Sequence, residues 1–192
     1  MPKAKEILTK GVCALKPEGV IAQEIGMMLG HSIVDLMILN DCIHTVEIKG
    51  ERDNLSRLNK QVAKMSLVSK YVEVWFDECF QFKIWGTDFP GHVGIVKFTH
   101  DGGHKVIREA QANPIRSAGA ILSMLWKVDL VAIAKERGLM PKSFRGTKED
   151  LVRLMCDEFT ANEAESYVVN RYKSRADILD KNDKLRSLTD NK

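Results

Sequence analysis

Residues 32–61 read SIVDLMILNDCIHTVEIKGERDNLSRLNKQ, two apolar runs and then an amphipathic one. Ser32–Leu39 and Ile43–Lys49 are apolar, β-branched runs separated by Asn40-Asp41, a pattern that predicts two strands joined by a hairpin turn. Gly50 ends the second strand. Over 54–68 the period changes. Leu55, Leu58, Val62 and Met65 recur at helical spacing, while Arg57, Lys60, Gln61 and Lys64 lie off that stripe. Asp53 is the expected N-cap of this helix.

Working outward, 3–14 reads as a short helix, followed by a turn at Lys16-Pro17-Glu18-Gly19. The segment 20–30 is apolar and ends on Gly30, which predicts a helical turn or an irregular packing segment. Downstream, 71–76 (YVEVWF) reads as a third strand and 80–85 as a further one. Gly94–Phe98 and 105–108 flank a turn at Asp101-Gly102-Gly103, the signature of a hairpin. Asn113-Pro114 marks a boundary. Beyond it the pattern is helical over 117–137, 148–159 and 162–180. The expected organisation is an α/β domain over 1–115, a helical domain over 116–185 and a polar tail over 186–192.

The chain of 192 residues is 44% hydrophobic and 29% charged, an ordinary globular composition. It has no apolar run long enough to span a membrane and no apolar signal core near its start. Four scattered cysteines without a C-x-x-C pair argue against a zinc ribbon or a redox motif and fit a reducing cytoplasm. Residues 1–115 hold 14 Lys/Arg and 14 Asp/Glu, whereas 116–192 hold 15 and 12, so the whole net charge of +3 sits in the C-terminal part. That balance is compatible with a phosphate-facing appendage.

Side chains alternate along a strand, so Glu47 and Lys49 share a face, and the tight turn brings Asp35 beside them. Ionisable groups in strands otherwise built from Ile33, Val34, Leu36, Ile38, Val46 and Ile48 are costly unless paired or bound to something. Two carboxylates can hold a hard cation such as Mg²⁺ or Mn²⁺, and the Ile48 carbonyl can add an oxygen. Such a metal activates water and polarises a phosphoryl oxygen. Lys49 would orient the water or stabilise charge on the phosphate. The bland alternative for Glu47-Ile48-Lys49 is an edge-strand ion pair.

The run VEIKGERDNLSRLNKQ over 46–61 resembles the PD-(D/E)XK nuclease superfamily, and within it the small MmcB-like DNA-repair proteins. Glu47-Ile48-Lys49, Asp53, Leu55, Arg57-Leu58 and Gln61 carry the match, extended by IAQEIGMMLGHSIVDLMIL upstream and by HVGIVKF, REAQANP and ILSMLWKVDL downstream. The resemblance implies a restriction-endonuclease-like core, a small mixed β-sheet flanked by helices. It implies Asp35 and Glu47 as metal ligands, Lys49 as the catalytic lysine, Glu24 as an auxiliary acid, and Gln61 reaching the site or the phosphate. Met65 stands where such proteins often carry an aromatic, and Val34 where the superfamily has a proline.

Arg57, Lys60 and Lys64 would ordinarily be a solvated helix face, and become phosphate contacts if the helix borders a nuclease site. Residues 130–154 resemble a SAP-like helix–extended–helix DNA-binding motif, with Thr147-x-x-Asp150 as a capping box. Lys142, Arg145, Lys148 and Arg153 are its expected phosphate contacts. The five histidines make no H-E-x-x-H pattern. Trp75, Trp85 and Trp126 lie in apolar surroundings and are expected in the core, not as base-stacking platforms. The resulting expectation is a Mg²⁺- or Mn²⁺-dependent deoxyribonuclease acting in the cytoplasm on DNA, compatible with a homodimer. Its setting would be repair, recombination or mobile-element defence. The rivals are a DNA-binding or protein-binding module that keeps the fold without cutting, an inhibitor or adaptor, and an enzyme acting on RNA.

Overall fold

A computed structural model describes residues 11–12, 19–30, 32–99 and 103–175. The expected N-terminal turn and most of the expected first helix, the end of the last helix and the tail lie outside these residues. Among the described residues the fold is mixed α/β: a six-stranded sheet in the order β1-β2-β3-β4-β5-β6, with six α-helices whose bounds are fully described. The strands are β1 (Val20–Met27), β2 (Ser32–Leu39), β3 (Ile43–Lys49), β4 (Tyr71–Asp77), β5 (Gly94–Phe98) and β6 (His104–Arg108). The helices are α1 (Leu58–Val68), α2 (Gln81–Trp85), α3 (Ala118–Leu122), α4 (Lys127–Glu136), α5 (Lys148–Met155) and α6 (Ala161–Lys173).

Ser32–Leu39 and Ile43–Lys49 form the antiparallel pair β2–β3, joined through Asn40-Asp41. Because α1 and α2 each intervene before the next strand, β3–β4 and β4–β5 pair in parallel, as crossover connections require. Hairpin β5–β6 closes the sheet with an antiparallel pair.

Four expectations are corrected. The segment over 20–30 forms edge strand β1, paired antiparallel with the whole of β2, and then a short 3-10 turn over Met28–Gly30. Main-chain pairing with β2 overrides the weak local pattern. The helix expected from Asn54 begins at Leu58, and Asp53 does not cap it. Its carboxylate instead accepts the Gly50 amide at 2.8 Å, and Asn54 Oδ1 accepts the Ser56 amide at 2.7 Å. These local bonds hold 50–56 as a turn in competition with helix.

The strand expected over 80–85 is helical. Asp77 Oδ1 accepts the Cys79 amide at 3.0 Å and opens a 3-10 turn, Glu78–Phe80, which runs into α2. The single helix expected over 117–137 is two, α3 and α4. Ser117 caps α3, and Ser123 Oγ donates to the Ala120 carbonyl at 2.6 Å where it ends.

One face of the sheet is covered by helices. Met37, Leu39, Ile43, Val72, Val74 and Phe76 from the strands form one core with Leu58, Val62 and Met65 of α1. The same core continues through Leu122, Leu130, Leu151 and Val168 of the C-terminal helices. Each such side chain, fully buried, contributes about 1.5–3 kcal/mol. Asn113, at the expected boundary, is buried and donates to the carbonyls of Ser66 and Ser69 at 2.5 and 2.9 Å, so the junction is itself bonded into the fold. Leu36, Ile38, Val46, Ile48, Trp75, Val96 and Phe98 form a second, smaller core on the other face.

Candidate functional site

The site grows out of the point where the β2–β3 ladder stops. Register pairs run from Leu39↔Ile43 to Leu36↔Val46; one step further sets Asp35 opposite Glu47. There the carboxylate replaces the main chain: Asp35 Oδ2 accepts the Ile48 amide at 2.8 Å. The apolar residues also change sides at this point. Val34 joins the helix-covered core although Leu36 faces the other one, and Ile25 and Ile21 divide in the same way across Glu24. Glu24 has φ of 50°, a left-handed conformation inside a strand. That costs a non-glycine residue energy, as it does at Met28 and Leu29 in the turn that follows.

Glu47 and Lys49 follow from strand alternation. Both are buried, at 2% and 7% exposure, on the face that α1 covers. Lys49 Nζ donates to Glu47 Oε1 at 2.7 Å and to Gln61 Oε1 at 3.1 Å. Gln61 Nε2, from the first turn of α1, donates to the same Glu47 Oε1 at 2.5 Å. The three side chains form a closed triangle, and the amide group of Gln61 uses its donor and its acceptor on the two members of an ion pair.

The structure thus brings Asp35, Glu47, Ile48, Lys49 and Gln61 together. Glu24, exposed on β1, lies opposite Asp35 by the register of its neighbours Gln23↔Leu36 and Ile25↔Val34. Arg57 and Lys60 are exposed on or beside the first turn of α1, which carries Gln61, and Lys64 is half-buried one turn on.

The donor set suits a hard divalent cation, which prefers carboxylate and carbonyl oxygens. Asp35 is half-buried, and it and Glu47 stand on adjacent strands. Among the described residues no group of three or more His, Cys, Asp or Glu side chains is gathered for a metal, so a cation here would rest on two carboxylates and main-chain oxygen.

The other cationic residues expected at a site lie in the C-terminal part, on and before α5. Gly138, at φ 70°, ends α4, and the Leu139 amide returns to the Ala134 carbonyl at 2.8 Å, a left-handed helix stop. A connection with a turn closed by the Phe144 amide on the Pro141 carbonyl at 3.3 Å leads to α5, whose capping box closes with Thr147 and Asp150. Hydrogen bonds from the Thr147 amide and then its hydroxyl hold Asp150 below the usual carboxylate range. Lys142, Arg145 and Arg153 are exposed; Lys148 is half-buried, and burial pulls its ammonium below the usual lysine range.

Three features escaped the sequence reading. Trp85 and Trp126, expected in the core, are 61% and 58% exposed. Only Trp75 is buried, at 3%. Glu73 is also buried, on the opposite face of the sheet from Glu47. It accepts Trp75 Nε1 at 2.6 Å and stands 3.3 Å from His44 Nε2, beside a cavity of about 280 Å³ that Tyr71 and Glu109 help to line. The acid flanked by valines in YVEVWF was the available signal for it. Finally, Asp129 is buried under Arg171 and Arg175, at 2.7 and 3.2 Å.

No curated protein matches the sequence. Among solved structures, the chain is similar to the SPO1766 protein of unknown function from Silicibacter pomeroyi. That match has 17% identity over 72% of this chain and 94% of that one, with a TM-score of 0.44. No helix among the described residues is long and apolar enough to cross a membrane. A family model described as bacteriophage P4 protein cII matches residues 6–191, and the chain belongs to that family.

Proposed function

We propose that this protein is a metal-dependent deoxyribonuclease of the cytoplasm, working through Asp35, Glu47 and Lys49. The observation that carries the reading is the Glu47–Lys49–Gln61 triangle, buried beside Asp35 at the end of the β2–β3 ladder. Asp35 and Glu47, with the Ile48 carbonyl, would hold Mg²⁺ or Mn²⁺. Such a cation supplies charge against a phosphoryl oxygen and makes water a better nucleophile.

The chain's own residues do the rest. Lys49 is held by two acceptors, so its ammonium is pre-oriented and its remaining proton can point to a water or to a phosphate oxygen. Gln61 fixes both partners of the pair and so the distance between acid and cation. Arg57 and Lys60 on α1, and Lys142, Arg145, Lys148 and Arg153 in the C-terminal motif, are the proposed phosphate contacts. Their bonds would position DNA without reading its sequence. A family named for a bacteriophage protein is in keeping with a mobile-element setting.

A second reading, a DNA-binding or protein-binding module that does not cut, draws on the same geometry. The Asp35 carboxylate already serves the Ile48 amide, and Glu47 already serves Lys49 and Gln61.

One experiment separates the two. The purified protein is incubated with labelled single-stranded, duplex and branched DNA in Mg²⁺, Mn²⁺ or EDTA, beside Asp35→Asn and Lys49→Ala. Cutting that needs metal and falls on the order of a hundredfold or more in both variants is the expected result. Binding without cutting in every metal, equal in wild type and variants, would falsify the nuclease reading.

A further inference from the structure

Resting on the nuclease reading above, we infer that Asp53 is a positioning residue for the site: its carboxylate closes the turn after β3 and so holds Lys49 and Gln61 in place against Glu47.

Two aspartates do parallel work along one edge of β3. Main-chain pairing with β2 reaches Leu36↔Val46. Beyond it Asp35, a β2 residue, accepts the Ile48 amide at 2.8 Å, so that amide faces β2. Amides two residues apart along a strand share an edge, and Gly50 comes two after Ile48. Its amide is accepted by Asp53 Oδ2, also at 2.8 Å. Asp35 reaches its amide from the neighbouring strand. Asp53 reaches its own from further along the chain, and the chain bends to allow it: the Asp53 amide donates back to the Gly50 carbonyl at 2.9 Å. One residue thus satisfies both the donor and the acceptor of buried Gly50.

That turn leads into α1. Asn54 Oδ1 accepts the Ser56 amide at 2.7 Å, and the Leu58 amide donates to the Leu55 carbonyl at 2.9 Å. No side-chain hydrogen bond caps α1 at Arg57, and the first turn of a helix has no intrahelical partners for its amides. This same turn carries Gln61, which stands 3.1 Å from Lys49 Nζ and 2.5 Å from Glu47 Oε1. Buried Leu58 holds the turn down on the sheet. The closed Gly50–Asp53 turn holds the chain that enters it.

Lys49 is the last residue of β3 and is bonded directly to Gly50, so a loosened Gly50 is a loosened root for the lysine. A lysine stem is long and flexible, and its ammonium stays on two acceptors only while its root and those acceptors stay fixed. Asp53 therefore acts through the main chain. Its loss should slow the chemical step without weakening DNA affinity, whereas an acid that faced DNA directly would alter affinity.

The test uses the full chain and the DNA that the wild type cuts in Mg²⁺ or Mn²⁺. Asp53→Ala should lower kcat about tenfold or more, as lost outer-shell partners do, with KM for DNA unchanged. Asp53→Asn offers an acceptor oxygen at the same reach and should keep most of the rate. Asp53→Glu keeps the charge one carbon too far out and should fall with the alanine variant. If Asp53→Ala does not fold, this second pair carries the test. Thr160→Ala removes a capping bond of α6, controls for lost stability and should leave kcat as in wild type. The side-chain amide signal of Gln61 in proton–nitrogen NMR gives a readout independent of cutting. It should shift in Asp53→Ala and Asp53→Glu and stay in place in Asp53→Asn and Thr160→Ala. Wild-type kcat in Asp53→Ala, or an equal loss in Asp53→Asn or in Thr160→Ala, overturns the positioning role and leaves the nuclease reading standing. If the wild type cuts no DNA in any metal, the nuclease reading falls, and the Gln61 signal alone decides whether Asp53 positions the cluster.

Discussion

Strands β3 and β4 each bury a glutamate, one on each face of the sheet, and the two are held in different ways. Glu47 lies under α1 against Lys49 and Gln61. Glu73 lies on the other face against the Trp75 indole and His44. Desolvating a carboxylate costs several kcal/mol, which an adjacent ammonium offsets by charge and an indole only by a hydrogen bond. The first arrangement is therefore built around a fixed cation at the end of the strands where α1 presents Arg57 and Lys60. The second is built around a neutral donor beside a polar cavity. Buried acids that look alike in a strand pattern differ by their partners, and the partners come from elements distant in sequence.

The largest effect should come from removing the cation. Lys49→Met leaves Glu47 buried without its countercharge and should cost about 3–5 kcal/mol in urea unfolding. Adding Glu47→Gln in the same chain should recover most of that. A loss below about 1 kcal/mol, unaffected by the second change, would mean the pair is not a charge-coupled unit.

On the other face, Trp75→Phe keeps an aromatic ring and deletes the bond to Glu73. The expected cost is about 2 kcal/mol, the range for hydrogen bonds to charged groups. A cost equal to that of Lys49→Met would erase the distinction between the faces.

A third prediction uses acid. His92 is buried, with Ser66 Oγ 2.9 Å from its Nε2, and burial, then Arg108, lowers its pKa. A histidine depressed in the folded state stabilises the protein above its unfolded pKa, about 6.5, and that stability is lost as pH falls through the folded value. Melting temperature should drop below about pH 6.5, and His92→Gln should flatten that slope. An unchanged slope in the variant would assign the acid sensitivity to other groups.

The smallest effect belongs to Arg153, 80% exposed and 3.6 Å from Asp150. Arg153→Ala should change stability by no more than about 0.5 kcal/mol. If the C-terminal motif holds DNA, the same change should lower the slope of log affinity against log salt by about 1. An unaltered slope removes Arg153 from the interface.

The central strands and the cluster between them were legible because apolar alternation and a tight turn are local signals. Two carboxylates and a lysine stood out against Ile, Val and Leu, whereas Gln61 entered only through the resemblance to the nuclease superfamily, because helical spacing alone sets it off the apolar stripe. Strand β1 was not legible, because its conformation depends on pairing with β2 and its pattern is interrupted at Glu24, where the backbone turns left-handed. The start of α1 was misread because Asp53 has two uses, capping a helix or closing the turn on Gly50, and only the folded chain selects one. Trp85 was read as core from its neighbours' polarity. Its exposure follows from α2 being a single turn whose one buried side chain is Ile84, which pattern cannot reveal.

Glu165, buried on α6, accepts the Ile43 amide at 2.9 Å and Arg116 Nη1 at 2.7 Å. Ile43 opens β3, the strand that ends in Glu47 and Lys49. A recombination event that exchanged the C-terminal helices for another module would strand the Ile43 main-chain donor at the start of the strand that carries the site. The two halves are thus tied for inheritance as one cassette, and breakpoints that yield a working descendant should fall outside the interval from Ile43 to Glu165.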